Sequence, residues 1–373
     1  MGEERLTTPV ELFWDLVFVF AVTQVTTLLA RDVSWAGFGR SMLVLALVWW
    51  AWSAFVWAAN AQAPDSQVLR ATLLAGTVLI FVAGLAIPHA FGSQSTLFAS
   101  TYAGVRLMHL ALYADASRRG QANWSAIAGF ALTVVIGMAM LIVGSFLGGW
   151  HRIVVWAAAA AIDYAGPAWL TRERLRGIQR VAVAHFAERY GLFVIICLGE
   201  SVVAIGVGAA DRSLGVATIA TVAAGLLITV ALWWTYFDRF AATAAQRLRD
   251  HDDPVLAAAD AYSYLHLVIV AGIIVFAVGM RLAIETVTDP LADAARLALC
   301  GGLAAYLAGH AAFRLRLVGA LDVDKLLAAG LLLAVFGASG GLPAWGVTAL
   351  AAGILTLLCA HESWVRPAFA EAA

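Results

Sequence analysis

Apolar residues run along this chain in long blocks separated by short charged or turn-rich segments, and twelve blocks approach the roughly 20 residues that a bilayer-spanning helix needs. They lie at approximately 10–30, 37–62, 69–90, 97–116, 124–146, 150–169, 187–209, 215–238, 262–284, 294–313, 325–339 and 343–362. The eleventh is short enough to be a half-helix or a tightly fitted span. Polar residues interrupt two blocks in an informative way. In ELFWDLVFVFAVTQV, Glu11 and Asp15 are one helical turn apart and share a face. In GLFVIICLGESVVAIGVG, Glu200 and Ser201 sit inside the span. A charge in hydrocarbon costs at least a few kcal/mol, so these faces are expected to look at protein, water or an ion.

Composition agrees with a bilayer as the solvent. The chain is 62% hydrophobic and 13% charged with a mean hydropathy of +0.87, against roughly 45–50% apolar and 25% charged residues in a soluble domain. The predicted fold class is therefore an all-α polytopic membrane protein with about twelve transmembrane helices. Among the loop cations, only Arg31, Arg40, Arg152, Arg212, Arg281 and Arg296 fall in alternate segments, the rest lying on the other side. The positive-inside rule then puts both termini in the cytoplasm and the chain, multi-pass, in the inner (plasma) membrane. Trp14, Trp35, Trp124, Trp150, Trp169, Trp345 and Trp364 fall near span ends, as interfacial anchors do. Cys197, Cys300 and Cys359 show no CxxC spacing, so neither a disulfide framework nor a zinc site is expected.

The strongly charged segment LTRERLRGIQRVAVAHFAER, residues 170–189, divides the chain into two groups of six spans. It reads as a basic cytoplasmic linker between a first repeat, 1–175, and a second, 176–373. ELFWDLVFVFAVTQV aligns without gaps to ERYGLFVIICLGESV, setting Thr23 and Gln24 opposite Glu200 and Ser201, and Glu11 opposite Glu188. The second span of each group carries a Trp pair, Trp49-Trp50 and Trp233-Trp234. His109 and His310 fall at matching places in the fourth, and Asp163 and Glu362 close the sixth. Both groups start on one side, so the repeats are parallel, and polar sites in such folds gather between repeats. Residues 238–264 read as an amphipathic connector broken at Pro254.

Three strings together, PVELFWDLVFVFAVTQVTTLL, HFAERYGLFVIICLGESVVAIGVG and YSYLHLVIVAGIIVFAVGMRLAI, resemble the bacterial low-temperature-requirement protein A (LtrA) family. Its members open with an ELFFDLVFVFA-type helix and carry an ERFGLFVI-LGESVVAIG-type helix. The strings occur in the family's order and the resemblance runs along essentially the whole chain. Trp14 and Tyr190 stand where the family usually has Phe, which keeps aromatic character. The resemblance implies a membrane protein named for a growth phenotype and brings no catalytic residue or cofactor with it.

Each polar residue has a bland reading beside its functional one. Glu11 is either half of a capping box with Thr8 or part of a cation or proton site with Asp15. Glu188 takes the same helix-start reading. Glu200 is either tied to Arg106, the one basic residue placed mid-membrane, or belongs to an ion or proton site; His109 lies one turn from Arg106. His266 and His310 read as satisfied interior histidines, and Asp163 and Glu362 as secondary candidates. Trp49, Trp50, Trp52 and Trp57 read as lipid-facing. Gly-rich stretches such as VGSFLGG read as close helix packing.

No HExxH, Walker, G-x-S-x-G or G-x-G-x-x-G context occurs, so no catalytic or metal set is proposed. The expected function is a channel or secondary transporter for an ion or small solute, lined by Glu200, Ser201, Arg106, His109, Asp15, Glu11, Gln24 and Thr23. A membrane-embedded enzyme or lipid-handling protein and a membrane sensor or scaffold linked to cold tolerance are the alternatives. The expected partners are the lipid bilayer and an ion or solute, with no nucleic acid; the sequence names no cofactor.

Overall fold

A computed structural model describes residues 7–62, 66–120, 124–166, 182–238 and 240–364, and among them the regular structure is helical. Each of the twelve blocks holds a helix among the described residues. The first six are α1 (Pro9–Arg31), α2 (Trp35–Ala61), α3 (Gln67–Ala86), α4 (Ser95–Arg118), α5 (Trp124–Ser145) and α6 (Gly149–Ala165). Then follow α7 (Val183–Ala210), α8 (Val216–Phe237), the short α9 (Phe240–Arg249) and α10 (Pro254–Ala258), α11 (His266–Glu285), α12 (Asp293–Val318), α13 (Val323–Ala338) and α14 (Ala344–Trp364). Among the described residues, eight stretches are long and apolar enough to cross a membrane by length and composition. α6 and α13 are short, at 17 and 16 residues. α4 and α12 are long but carry polar residues such as Arg106 and His310, and each packs among the helices of its own unit.

Local chemistry sets the boundaries. Thr8 caps α1, its backbone N–H and hydroxyl both donating to Glu11 Oε2 at 2.9 Å, with Pro9 preset for the first turn. Ser34 and Ser66 accept from Gly37 N–H and Leu69 N–H at the starts of α2 and α3. Asp253 caps α10 directly before Pro254, which is the break expected in the connector. A π-helical stretch, Ala259–Leu265, joins α10 to α11. The charged stretch read as a linker over 170–189 is helical from Val183; residues 167–181 lie outside those described.

The chain clusters into two compact units, one running to Arg189 and including Asp253–Ala259, the other comprising Tyr190–Asp252 and Asp260 onward. In the first unit α1 packs on α2 and α3, and α4 packs on α2, α3 and α5. α6 closes against α2 and α5. In the second unit α11, α12, α13 and α14 pack in sequence, and α8 lies against α11 and α14. The tightest approach there is α11 on α12: a Cβ added at Gly279 would lie 2.3 Å from the Leu299 nitrogen, so only glycine fits. Of the glycine stretches singled out in the sequence, Gly144 is packed on Trp156, whereas Gly148 and Gly149 border open space.

Helix faces are arranged for lipid. α8 buries Thr218, Thr221, Thr229 and Thr235 and turns Val216, Ile219, Val230 and Trp233 outward. That pattern, polar within and apolar without, is stable only where the surroundings are hydrocarbon. Trp35, Trp124, Trp150, Trp345 and Trp364 are exposed near helix ends, as anchors should be, but Trp14 is fully buried; Trp169 lies outside the described residues.

In each unit a buried arginine ties neighbouring chain segments together through backbone carbonyls. Arg152 donates to Leu147 O at 2.6 Å, Ser145 O at 3.3 Å and Gly92 O at 3.4 Å. Arg296 donates to Phe336 O at 2.9 Å and Leu291 O at 3.2 Å.

Candidate functional site

The helical period decides what α1 buries. Glu11, Trp14, Asp15, Phe18, Val22, Val25 and Leu29 recur every three to four residues and form its inner face, while Leu12, Phe13 and Leu16 point outward. Both acids are therefore fully enclosed. Two basic side chains on the first turns of α7 meet them. His185 and Arg189 are themselves four residues apart and share one face of that helix, at 1% exposure each.

Arg189 lays its planar fork along Asp15, Nε to Oδ2 at 2.9 Å and Nη2 to Oδ1 at 2.5 Å, while Nη1 stands 3.2 Å from Glu11 Oε1. This bidentate geometry is one that lysine could not supply. His185 Nε2 lies 3.3 Å from both Glu11 oxygens. Trp52 of α2 donates its indole N–H to Asp15 Oδ1 at 2.7 Å. Glu11 thus closes the capping box and joins the ion network with the same carboxylate. Within this set there is one more carboxylate than cation when the imidazole is neutral, and the count balances when it is protonated.

The other expected residues are distributed differently. Arg106, expected to answer Glu200, is instead engaged by Asp163 of α6, Nη2 to Oδ1 at 2.7 Å and Nε to Oδ2 at 3.1 Å. Depth along the chain proved a poor guide to pairing, because a side chain's partner is set by which helix faces it. His109 is buried beside Phe55, Tyr113 and Phe130. Thr23 and Gln24 are half-buried on α1. Glu200 and Ser201 are buried on α7, and Ser201 Oγ has no hydrogen-bond partner among the described residues. Glu188 is exposed and sits beyond the first turn of α7, which starts at Val183, so it is no counterpart to the buried Glu11.

In the second unit Glu362 pairs with Lys325, which also lies 3.4 Å from Asp322. His266 is satisfied as expected, bonded to Tyr236 Oη at 2.7 Å and directed at Ala261 O at 3.4 Å. It stacks on Tyr262, and Tyr190 Oη meets Ser263 Oγ at 3.2 Å. His310 departs from expectation: it is buried among Tyr236, Phe240 and Tyr306, and neither ring nitrogen has a hydrogen-bond partner among the described residues. Among those residues no three His, Cys, Asp or Glu side chains are grouped to hold a metal.

Sequence reasoning missed Arg189, His185 and Trp52. The sequence reads the first two as linker and the third as lipid-facing, yet Trp49, Trp50 and Trp52 are all buried. The available signal was in HFAER: a basic i, i+4 pair with the same spacing as the acids of ELFWD.

The comparisons agree with the strings that carried the resemblance. The family model described as bacterial low temperature requirement A protein (LtrA) matches residues 7–360. The uncharacterized protein RA0937 of Rhizobium meliloti (strain 1021) is 31% identical over 307 residues, which is 80% of this chain and 75% of that one. No solved structure matches the chain. The chain belongs to the bacterial low temperature requirement A (LtrA) family of membrane proteins.

Proposed function

We propose that this protein is a channel or secondary transporter for an ion or small solute, and that Glu11, Asp15, His185 and Arg189 form its proton-handling site. The observation that carries the reading is the enclosure of two carboxylates, one guanidinium and one imidazole, at 1% exposure or less, in a chain whose helices turn their apolar faces outward. Ionisable groups in such a place are costly, and they mark ion and proton pathways in membrane proteins. In this reading Asp15 and Glu11 are the working carboxylates, held in place by Arg189 and His185.

The twelve helices form two parallel six-helix repeats in this reading, with both termini in the cytoplasm and the chain in the inner membrane. A recurrence within the units supports the duplication. Tyr102 on the fourth helix donates its hydroxyl to Leu47 O of the second at 2.8 Å. In the other unit Tyr306 of α12 donates to Leu232 O of α8 at 2.6 Å. Parallel repeats of this kind are a transporter architecture.

Reconstitution into proteoliposomes with an internal pH-sensitive dye and a panel of ions tests the function. Asp15→Asn keeps the shape and the Trp52 contact while removing a charge. It is expected to abolish flux or flatten its pH dependence. Wild-type flux in a folded Asp15→Asn protein, or no flux of any panel member by the wild type, overturns the proposal.

A further inference from the structure

Arg106 uses only part of its hydrogen-bonding capacity. Nε and Nη2 are committed to Asp163, but Nη1 is buried with no hydrogen-bond partner among the described residues. The same holds for Nδ1 of His109, three residues on and so on the same face of α4. A terminal guanidinium nitrogen carries two N–H groups and accepts nothing, so only an acceptor can satisfy it. Orphaned buried groups in native proteins are few, and two on one face of a helix call for an occupant. Tyr102, one turn back on the same helix, donates its hydroxyl to Leu47 O and accepts no hydrogen bond from Arg106 Nη1.

We infer that the Arg106–His109 face of α4 binds a small anion together with a proton on His109. An acceptor that meets a cation is best matched by an anion. Arg106 and Asp163 already cancel, however, so an anion arriving alone would leave an uncompensated buried charge. A proton taken up by the imidazole restores neutrality and makes both ring nitrogens donors, pointing a second N–H at the same acceptor. The rings packed around the imidazole are Phe55 from α2, Phe130 from α5 and Tyr113 from α4, centred 6.0, 6.0 and 5.0 Å away. The titratable groups around this face are Arg106, Tyr102 and Tyr113 on α4, and Asp163 and Tyr164 from α6. α3 carries only Arg70, exposed at its first turn. Anion and proton enter and leave together, and no bond to carbon is made or broken. On the transport reading proposed above, the anion is the solute and the proton its coupling ion.

The test uses the purified full chain in detergent, with chloride, nitrate or acetate replacing gluconate at constant ionic strength. The wild type is expected to show a melting temperature that rises with at least one of the three, more at acid than at alkaline pH, with proton uptake seen by dye in weak buffer. His109→Phe keeps the ring packing and removes both nitrogens. It should fold, lose the pH dependence and bind the anion about tenfold or more weakly. Arg106→Lys keeps a charge opposite Asp163 but loses the free fork, and should weaken binding further. An unchanged melting temperature in all three anions, the result if water alone fills the face, overturns the inference. So does a His109→Phe protein that responds as the wild type does. Binding that survives in a protein showing no flux keeps the site and removes only the transport reading.

Discussion

Two buried clusters, one in each unit, solve the same problem with different chemistry. In the first unit, the carboxyl groups of Glu11 and Asp15 are answered by Arg189 and His185 through bonds as short as 2.5 Å. In the second, Tyr190, Tyr236, Tyr262 and His266 answer one another through hydroxyl and imidazole contacts and stacked rings. Both are removed from water. Removing a partner from the first strands a charge, whereas removing one from the second strands a dipole, and the costs of the two differ severalfold. The first cluster is held by charge against charge; the second is neutral and interlocked, and stiffens the fold around it.

That contrast can be broken most directly at Arg189. Arg189→Met leaves two enclosed carboxylates facing each other and is expected to destabilise the protein by about 3–5 kcal/mol in thermal or denaturant unfolding in detergent. Adding Asp15→Leu should return a large part of that loss; no recovery would mean that the guanidinium stabilises through something other than Asp15. Next comes Trp52→Phe, which keeps an aromatic ring in place and deletes one donor to a charged acceptor. About 1.5–3 kcal/mol should be lost.

Tyr236→Phe makes the matching cut in the neutral cluster by removing the hydroxyl from His266 Nε2, with an expected loss of about 1–2 kcal/mol. A loss as large as that of Arg189→Met would erase the distinction between the clusters. Thr8→Ala removes the cap but leaves the ion pairs, and should cost about 1 kcal/mol. At the bottom of the scale, Glu188→Gln on the exposed face of α7 is expected to stay within about 0.5 kcal/mol of wild type and to leave flux unchanged. An effect of Asp15→Asn size at Glu188 would reinstate the residue as a site member.

Much of the architecture was legible in the amino-acid order because it rests on local rules. Twelve apolar blocks became twelve helices, Thr8 and Glu11 closed the expected capping box, and Pro254 marked a real break. Pairing was not legible. Arg106 was matched to Glu200 by depth, and the structure gave it Asp163. Glu188 was matched to Glu11 by alignment, but α7 begins earlier than the alignment assumed, so the residue with a buried role is its neighbour Arg189.

The sequence by itself determined which stretches are helices, that the surrounding solvent is lipid, that the two acids of α1 share a face, and, through its strings, the family. These follow from hydropathy, helical period and capping, all of which act within one segment or one turn. Only the tertiary structure decided that Arg189, His185 and Trp52 close around those acids and that the α2 tryptophans turn inward. Composition also could not tell that His266 is satisfied while His310 lacks a described partner. Partners for a buried charge are selected by helix rotation and packing between segments distant in sequence, where a single residue's shift in register turns a side chain by about 100° around its axis.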